Sequence, residues 1–172
     1  TLSAIQTAIT FAASGRFEFD FHNFGGGTGT GTRRMYGADG ASRGFEFDGT
    51  TLVPIVTGMT ADTPKFVKVH KNHLFFAFSG SAQNSGIGNP YIWSVVSGAN
   101  ELAMGDTITG FIGITGSDSS AALALKTQNT TAILYGDSTA DWRLVRVSEE
   151  AGALAYTAQF VGTGIVMDSS GI

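Results

Sequence analysis

From residue 17 onward the chain alternates. Phe17, Phe19 and Phe21 fall on one side of an extended segment and Glu18, Asp20 and His22 on the other, the period-two pattern of a strand with two unlike faces. The tetrapeptide Phe-Glu-Phe-Asp returns at 45 to 48, 28 residues after its first appearance at 17 to 20. This alternation predicts equivalent strands with phenylalanines inward and carboxylates outward. A second pattern follows. Phe66, Val67 and Val69 lead through Lys71-Asn72-His73 into the nearly unbroken apolar run Leu74 to Phe78, which predicts a tight hairpin whose second strand is buried on both faces. Leu123 and Leu125 lead through 128 to 130 into Ala132 to Tyr135, and Ala158 to Val161 leads through 162 to 164 into Ile165 to Met167, predicting two more hairpins. Leu52 to Val56 reads as a short strand whose Pro54 places it at an edge or bulge. Leu2 to Ala13 departs from this regime: apolar residues at 2, 5, 8, 9 and 12 suit a helix capped by Ser3, and equally a ragged strand.

The hairpins recur as a unit, each closing on a turn and followed by a short strand with an aromatic. Residues 66 to 80 are followed by 91 to 96, 121 to 137 by 142 to 147, and, more faintly, 35 to 40 by 45 to 48. A fourth hairpin, 158 to 169, has no follow-on strand. Gly37, Gly80 and Gly136 mark the turns, 43 and 56 residues apart. Trp93 and Trp142 hold equivalent places in their units. Such residues serve either as core between units or as exposed platforms for sugars, and the core is favoured because packing repeats where a fold repeats. Recurrence on this scale predicts an all-β fold, an incomplete β-propeller-like array of antiparallel blades. The expected organisation is a single β domain over 1–172, a fragment of a larger propeller protein, with units near 14–48, 49–96, 108–147 and an incomplete 154–172.

Composition sharpens this. Glycine numbers 24 and proline 3, so the glycines belong to turns and bulges and not to a Pro-rich linker. Thirteen phenylalanines suit half-buried strands. Gly25 to Thr32 is a low-complexity loop lacking the Gly-Lys-Ser/Thr ending of a phosphate loop. There is no cysteine, which removes disulfides and thiolate chemistry, and no apolar run approaches the roughly 18 residues of a spanning helix, so no membrane anchor is expected. A net charge of −4 with scattered Lys and Arg argues against a wrapping nucleic-acid binder; the adjacent Arg33 and Arg34 read as a solvated loop edge.

Candidate chemistry is sparse. Glu18 with Asp20, and Glu46 with Asp48, put two carboxylates about 7 Å apart on one strand face, a spacing used in inverting glycosidases, but acids alternating with phenylalanine also describe a solvated sheet face. His22, His70 and His73 make a weak zinc set and read as turn residues. Asp137 and Asp141 bracket an oxygen-rich turn that fits an Asx-turn better than a calcium loop. The expectation is no catalytic, cofactor or metal site.

The segments YGADGASRGFEFDGT (36 to 50), KFVKVHKNHLFFAFSGS (65 to 81), SGIGNPYIWSVV (85 to 96), LYGDSTADWRLV (134 to 145) and EEAGALAYTAQFVGTGIVMDSSGI (149 to 172) resemble the propeller portion of virion structural proteins of tailed bacteriophages, in particular the tail nozzle or tail tubular proteins of short-tailed phages. That resemblance implies a non-enzymatic component of the phage tail. It would form a homo-oligomeric ring, six by family likeness, with other tail and portal proteins as partners and phage DNA passing through the lumen without sequence-specific binding. Loops at Gly25 to Thr32 and Ser79 to Pro90 would contact neighbouring subunits or line the channel. The alternative is a secreted or cell-surface propeller module that binds or cleaves glycans.

Overall fold

The computed structural model describes residues 6–7, 9–25, 33–115, 121–160 and 164–168. Among them the chain is all-β, with no α-helix and a single short 3-10 turn at Val95–Ser97. Strands β1 (Gln6–Thr7), β2 (Glu18–His22), β3 (Arg34–Ala38), β4 (Phe45–Phe47) and β5 (Thr51–Pro54) form the first sheet. Its order is β1-β5-β4-β3-β2, antiparallel except for the two-residue parallel pairing of β1 with β5. The second sheet is the meander β6 (Phe66–His70), β7 (His73–Phe78), β8 (Ser81–Asn84) and β9 (Asn100–Ala103). The third is the meander β10 (Ile108–Ile114), β11 (Ala122–Thr127), β12 (Thr131–Tyr135) and β13 (Arg143–Ser148). A hairpin of β14 (Gln159–Phe160) and β15 (Gly164–Ile165) completes the order.

The sheets meet through the strand that opens each antiparallel run, its first strand, β1 joining the first sheet only at its far edge: β2 packs against β6, β6 against β10, and β10 against β14. Two apolar layers fill the spaces between them. Tyr36, Ala38 and Ile55 of the first sheet and its exit meet Val67, Leu74, Phe76 and Phe78 of the second. Phe66, Phe75, Ala77 and Leu102 of the second sheet meet Ile108, Phe111, Leu123, Leu125 and Leu134 of the third. Strand β7 feeds both layers, since alternation sends Leu74 and Phe76 to one side and Phe75 and Ala77 to the other. All six of its residues are buried, as the unbroken apolar run predicts.

Several expectations are corrected. Of the two readings of the N-terminal segment, helix or ragged strand, the described part follows the second, with β1 at Gln6–Thr7; Leu2, Ser3, Ile5 and Ala8 lie outside the described residues, as do 26–32, 116–120, 161–163 and 169–172. Tyr91 to Val96 is not a strand. Asn89 closes a turn on the Tyr91 N–H, Pro90 precedes it, and the following 3-10 turn ends on Gly98 in the left-handed conformation, leaving Val95 and Val96 in solvent. The strand that completes the second sheet is β9, and Ser79 to Pro90 is no loop, because it contains β8. Strand β5, grouped by sequence with the second unit, pairs with β4 in the first.

The marker glycines are not equivalent either. Gly37 sits within β3, where a Cβ would strike the Phe45 ring. At Gly80 a Cβ would approach no atom closer than 3.6 Å, and the left-handed position of that turn is taken by Ser79. Only Gly136 has the positive φ, 107°, that a turn glycine is kept for. The strands through which the sheets meet begin at residues 18, 66, 108 and 159.

Candidate functional site

Strand β2 is inverted relative to its expected orientation. Phe17, Phe19 and Phe21 are 40%, 47% and 51% exposed, while Glu18, Asp20 and His22 turn toward the second sheet. The reason lies in the open inner edge of β6. A first strand has no strand on that side to accept its N–H groups, and Asp20 supplies the acceptor: the Val69 N–H donates to Asp20 Oδ2 at 2.8 Å. The same oxygen is 3.0 Å from Lys68 Nζ. A carboxylate is thus worth more on the inward side than a phenyl ring.

The ends of the first strands open into a cleft of about 710 Å³ where all three sheets contribute: Asp20, Phe21 and His22 from the first, Lys68 to Asn72 from the second, and Ala121 and Asp137 from the third. Its rim is tied across sheets. His22 Nε2 and Asn72 Oδ1 are 3.0 Å apart, and Lys71 Nζ lies 2.6 Å from Asp137 Oδ1 with the lysine side chain only 12% exposed. Lys71 and Asn72 both hold positive φ, 48° and 59°, an uncommon conformation for side-chain-bearing residues that this two-residue hairpin turn requires. Asp137 is positioned by its own turn: the Asp141 carboxylate accepts the N–H groups of Asp137 and Ser138, which hold it below the usual carboxylate range. That is the expected Asx-type ordering, with Asp137 facing the second sheet.

His70 and His73 pair across the β6–β7 turn. They are not exposed turn residues: His70 is 8% exposed and His73 1%. The His73 ring bonds through Nδ1 to the Ser85 carbonyl at 2.6 Å and lies edge-on to Trp142. Burial lowers both imidazoles, His70 to about 4, helped by the neighbouring Lys71 charge. Both are therefore neutral at pH 7, and among the described residues no group of three or more His, Cys, Asp or Glu converges as a metal cluster would.

The second carboxylate pair is split by the fold. Glu46 accepts the Tyr36 hydroxyl at 2.8 Å and lies 3.5 Å from Arg34 Nε, in a depression that also includes Tyr91. Burial, with the Glu46 charge, raises both tyrosines above their ordinary range. Asp48 instead leaves the strand and caps the next turn through the Thr50 and Thr51 N–H groups. Glu18 lines a small cavity at the opposite end of the first strands, where burial raises its carboxyl against the lowering effect of Arg16. Each carboxylate of the two candidate pairs thus has its own surroundings, and neither pair faces a shared space.

Trp93 and Trp142 both lie between the third and fourth strands of their sheets, and both pack toward the preceding sheet. Trp93 stacks on Phe76 at 5.4 Å and donates its indole N–H to the Pro90 carbonyl; Trp142 rests 5.3 Å from Phe75. Sequence reasoning missed the inter-sheet ties of Asp20, Lys68 and Lys71, because nothing in a local pattern says which strands share an inner edge. No family model, curated protein or solved structure matches the chain.

Proposed function

We propose that the three sheets and the hairpin are blades of a β-propeller-like radial array, and that the chain is a non-enzymatic structural component of a tailed-phage virion, a nozzle or tail-tube protein assembling as a ring around the DNA channel. One observation supports the radial reading above the rest. Glu18 of β2, Phe66 and Val67 of β6, Thr109 and Phe111 of β10, and Ala158 just before β14 line one cavity of about 20 Å³. Four first strands around one point is the geometry of blades about an axis. Arg16 and Lys65, each just ahead of a first strand, reach the ring of Tyr156 at the same end. A space of that size holds about one water. Duplex DNA therefore has no path along this axis, and a DNA channel would run between copies of the chain. The virion assignment itself rests on the likeness of the quoted segments to tail nozzle proteins. Light scattering with negative-stain imaging of the purified protein tests it: a ring with a hole of duplex width is the expected result, and a stable monomer contradicts it in favour of a glycan-binding module.

A further inference from the structure

The side of the first sheet turned away from the second carries Phe17, Phe19 and Phe21 of β2 and its approach, Met35 of β3, Phe47 of β4 and Leu52 of β5. The paired positions of that face are uncharged, and at its rim the Arg33 guanidinium lies 5.7 Å from the Phe21 ring centroid. An apolar surface of this extent on one side of a sheet marks a contact site. We propose that the occupant is a second copy of this chain, docked head to tail, with the β14–β15 end of one copy seated on the phenylalanine face of the next. This inference rests on the radial reading above.

Three observations favour this arrangement. Within the chain, an apolar sheet face is covered by a neighbouring sheet whose first strand lies beside its own, as β2, β6 and β10 show. The outer side of the first sheet, where among the described residues Phe11 packs on Phe17 and Phe45, offers the same relation to an incoming sheet. At the other end of the array Ile165 and Met167 are 43% and 45% exposed, and Ile165 points away from the side on which Gly164 faces Ile112 of the third sheet. Finally, the phenylalanine face holds a wholly apolar depression of about 180 Å³ bounded by Phe11, Phe19, Phe45 and Phe47, room for one aliphatic side chain as an anchor. Because the two contacting surfaces differ, the contact is heterologous and repeats from copy to copy until it closes.

Sedimentation velocity across a concentration series tests the proposal with three samples: the unaltered chain, Phe19→Asp and Ile165→Asp. The unaltered chain should gain at least a twofold mass as concentration rises, and each variant alone should stay a monomer. An equimolar mixture of the two variants should recover a two-copy species, since one intact face then meets one intact hairpin end. An unaltered chain that remains monomeric at high micromolar concentration overturns the inference. So does self-association of Ile165→Asp alone, which would indicate two phenylalanine faces meeting each other, or a mixture that fails to pair. Circular dichroism melting checks that each variant folds, with Phe21→Asp and Met167→Asp replacing any that does not. A monomer here leaves the radial arrangement within one chain intact, whereas a chain whose first strands do not converge would remove both readings.

Discussion

Strands β7 and β2 present opposite lessons about burial. Strand β7 is apolar at nearly every position and lies between two sheets, so both of its faces are covered. Strand β2 alternates phenylalanine with polar residues, and its polar side faces the interior while its phenylalanines meet solvent. Alternation tells that a strand has two different faces; it does not tell which one the fold covers. The choice at β2 is made by hydrogen bonding at the inner edge of β6, where a carboxylate satisfies a backbone N–H and a lysine together.

Substitutions separate the two strands most clearly. Phe76→Ala, removing a ring that is fully buried and stacked on Trp93, should destabilise the fold by about 3 to 5 kcal/mol in urea unfolding. Phe19→Ala, measured in the dilute monomer, should cost no more than about 1 kcal/mol, because half of the side chain is already in water. Similar losses at both sites would erase the distinction.

Acid is the next probe, acting on β6 and β7 and sparing the phenylalanine face. His70 is held at about 4 in the folded chain against 6.5 for a free histidine side chain, so the unfolded state binds more protons between those pH values. Stability is accordingly complete above pH 6.5 and declines as pH falls toward 4, with a slope of up to about 1.4 kcal/mol per pH unit. His70→Gln should flatten that part of the profile in thermal melts at a series of pH values, and an unchanged slope would show that His70 does not carry it.

A smaller effect is expected at the tie itself. Asp20→Ala leaves the Val69 N–H and the Lys68 ammonium without their acceptor, at a cost of about 1 to 2 kcal/mol, moderated by the partial exposure of both side chains. Amide hydrogen exchange should report it locally, as faster exchange at Val69 with little change in β12.

Much of the fold is legible in the chain. The hairpins at β6–β7, β11–β12 and β14–β15 announce themselves by apolar strands around polar turns, and the all-β class follows from them. What escaped is equally physical. Strand β8, Ser-Ala-Gln-Asn, buries only alternate side chains and β9, Asn-Glu-Leu-Ala, buries only Leu102, and both lack the β-branched and aromatic residues that mark a strand. Tyr91 to Val96 has those residues but is broken by Pro90 and Gly98. The site is less legible than the fold. Lys68 meets Asp20 and Lys71 meets Asp137 only because three sheets end at one place, a long-range fact that local spacing does not carry.

Hydroxyl-radical footprinting with mass spectrometry, at low and high protein concentration, tests the inverted β2 most directly. Phe17, Phe19 and Phe21 should oxidise many times faster than Phe75 and Phe76 in the dilute protein. Phe19 and Phe21 as unreactive as Phe75 in that dilute sample would place the phenylalanines inside the fold and contradict the account.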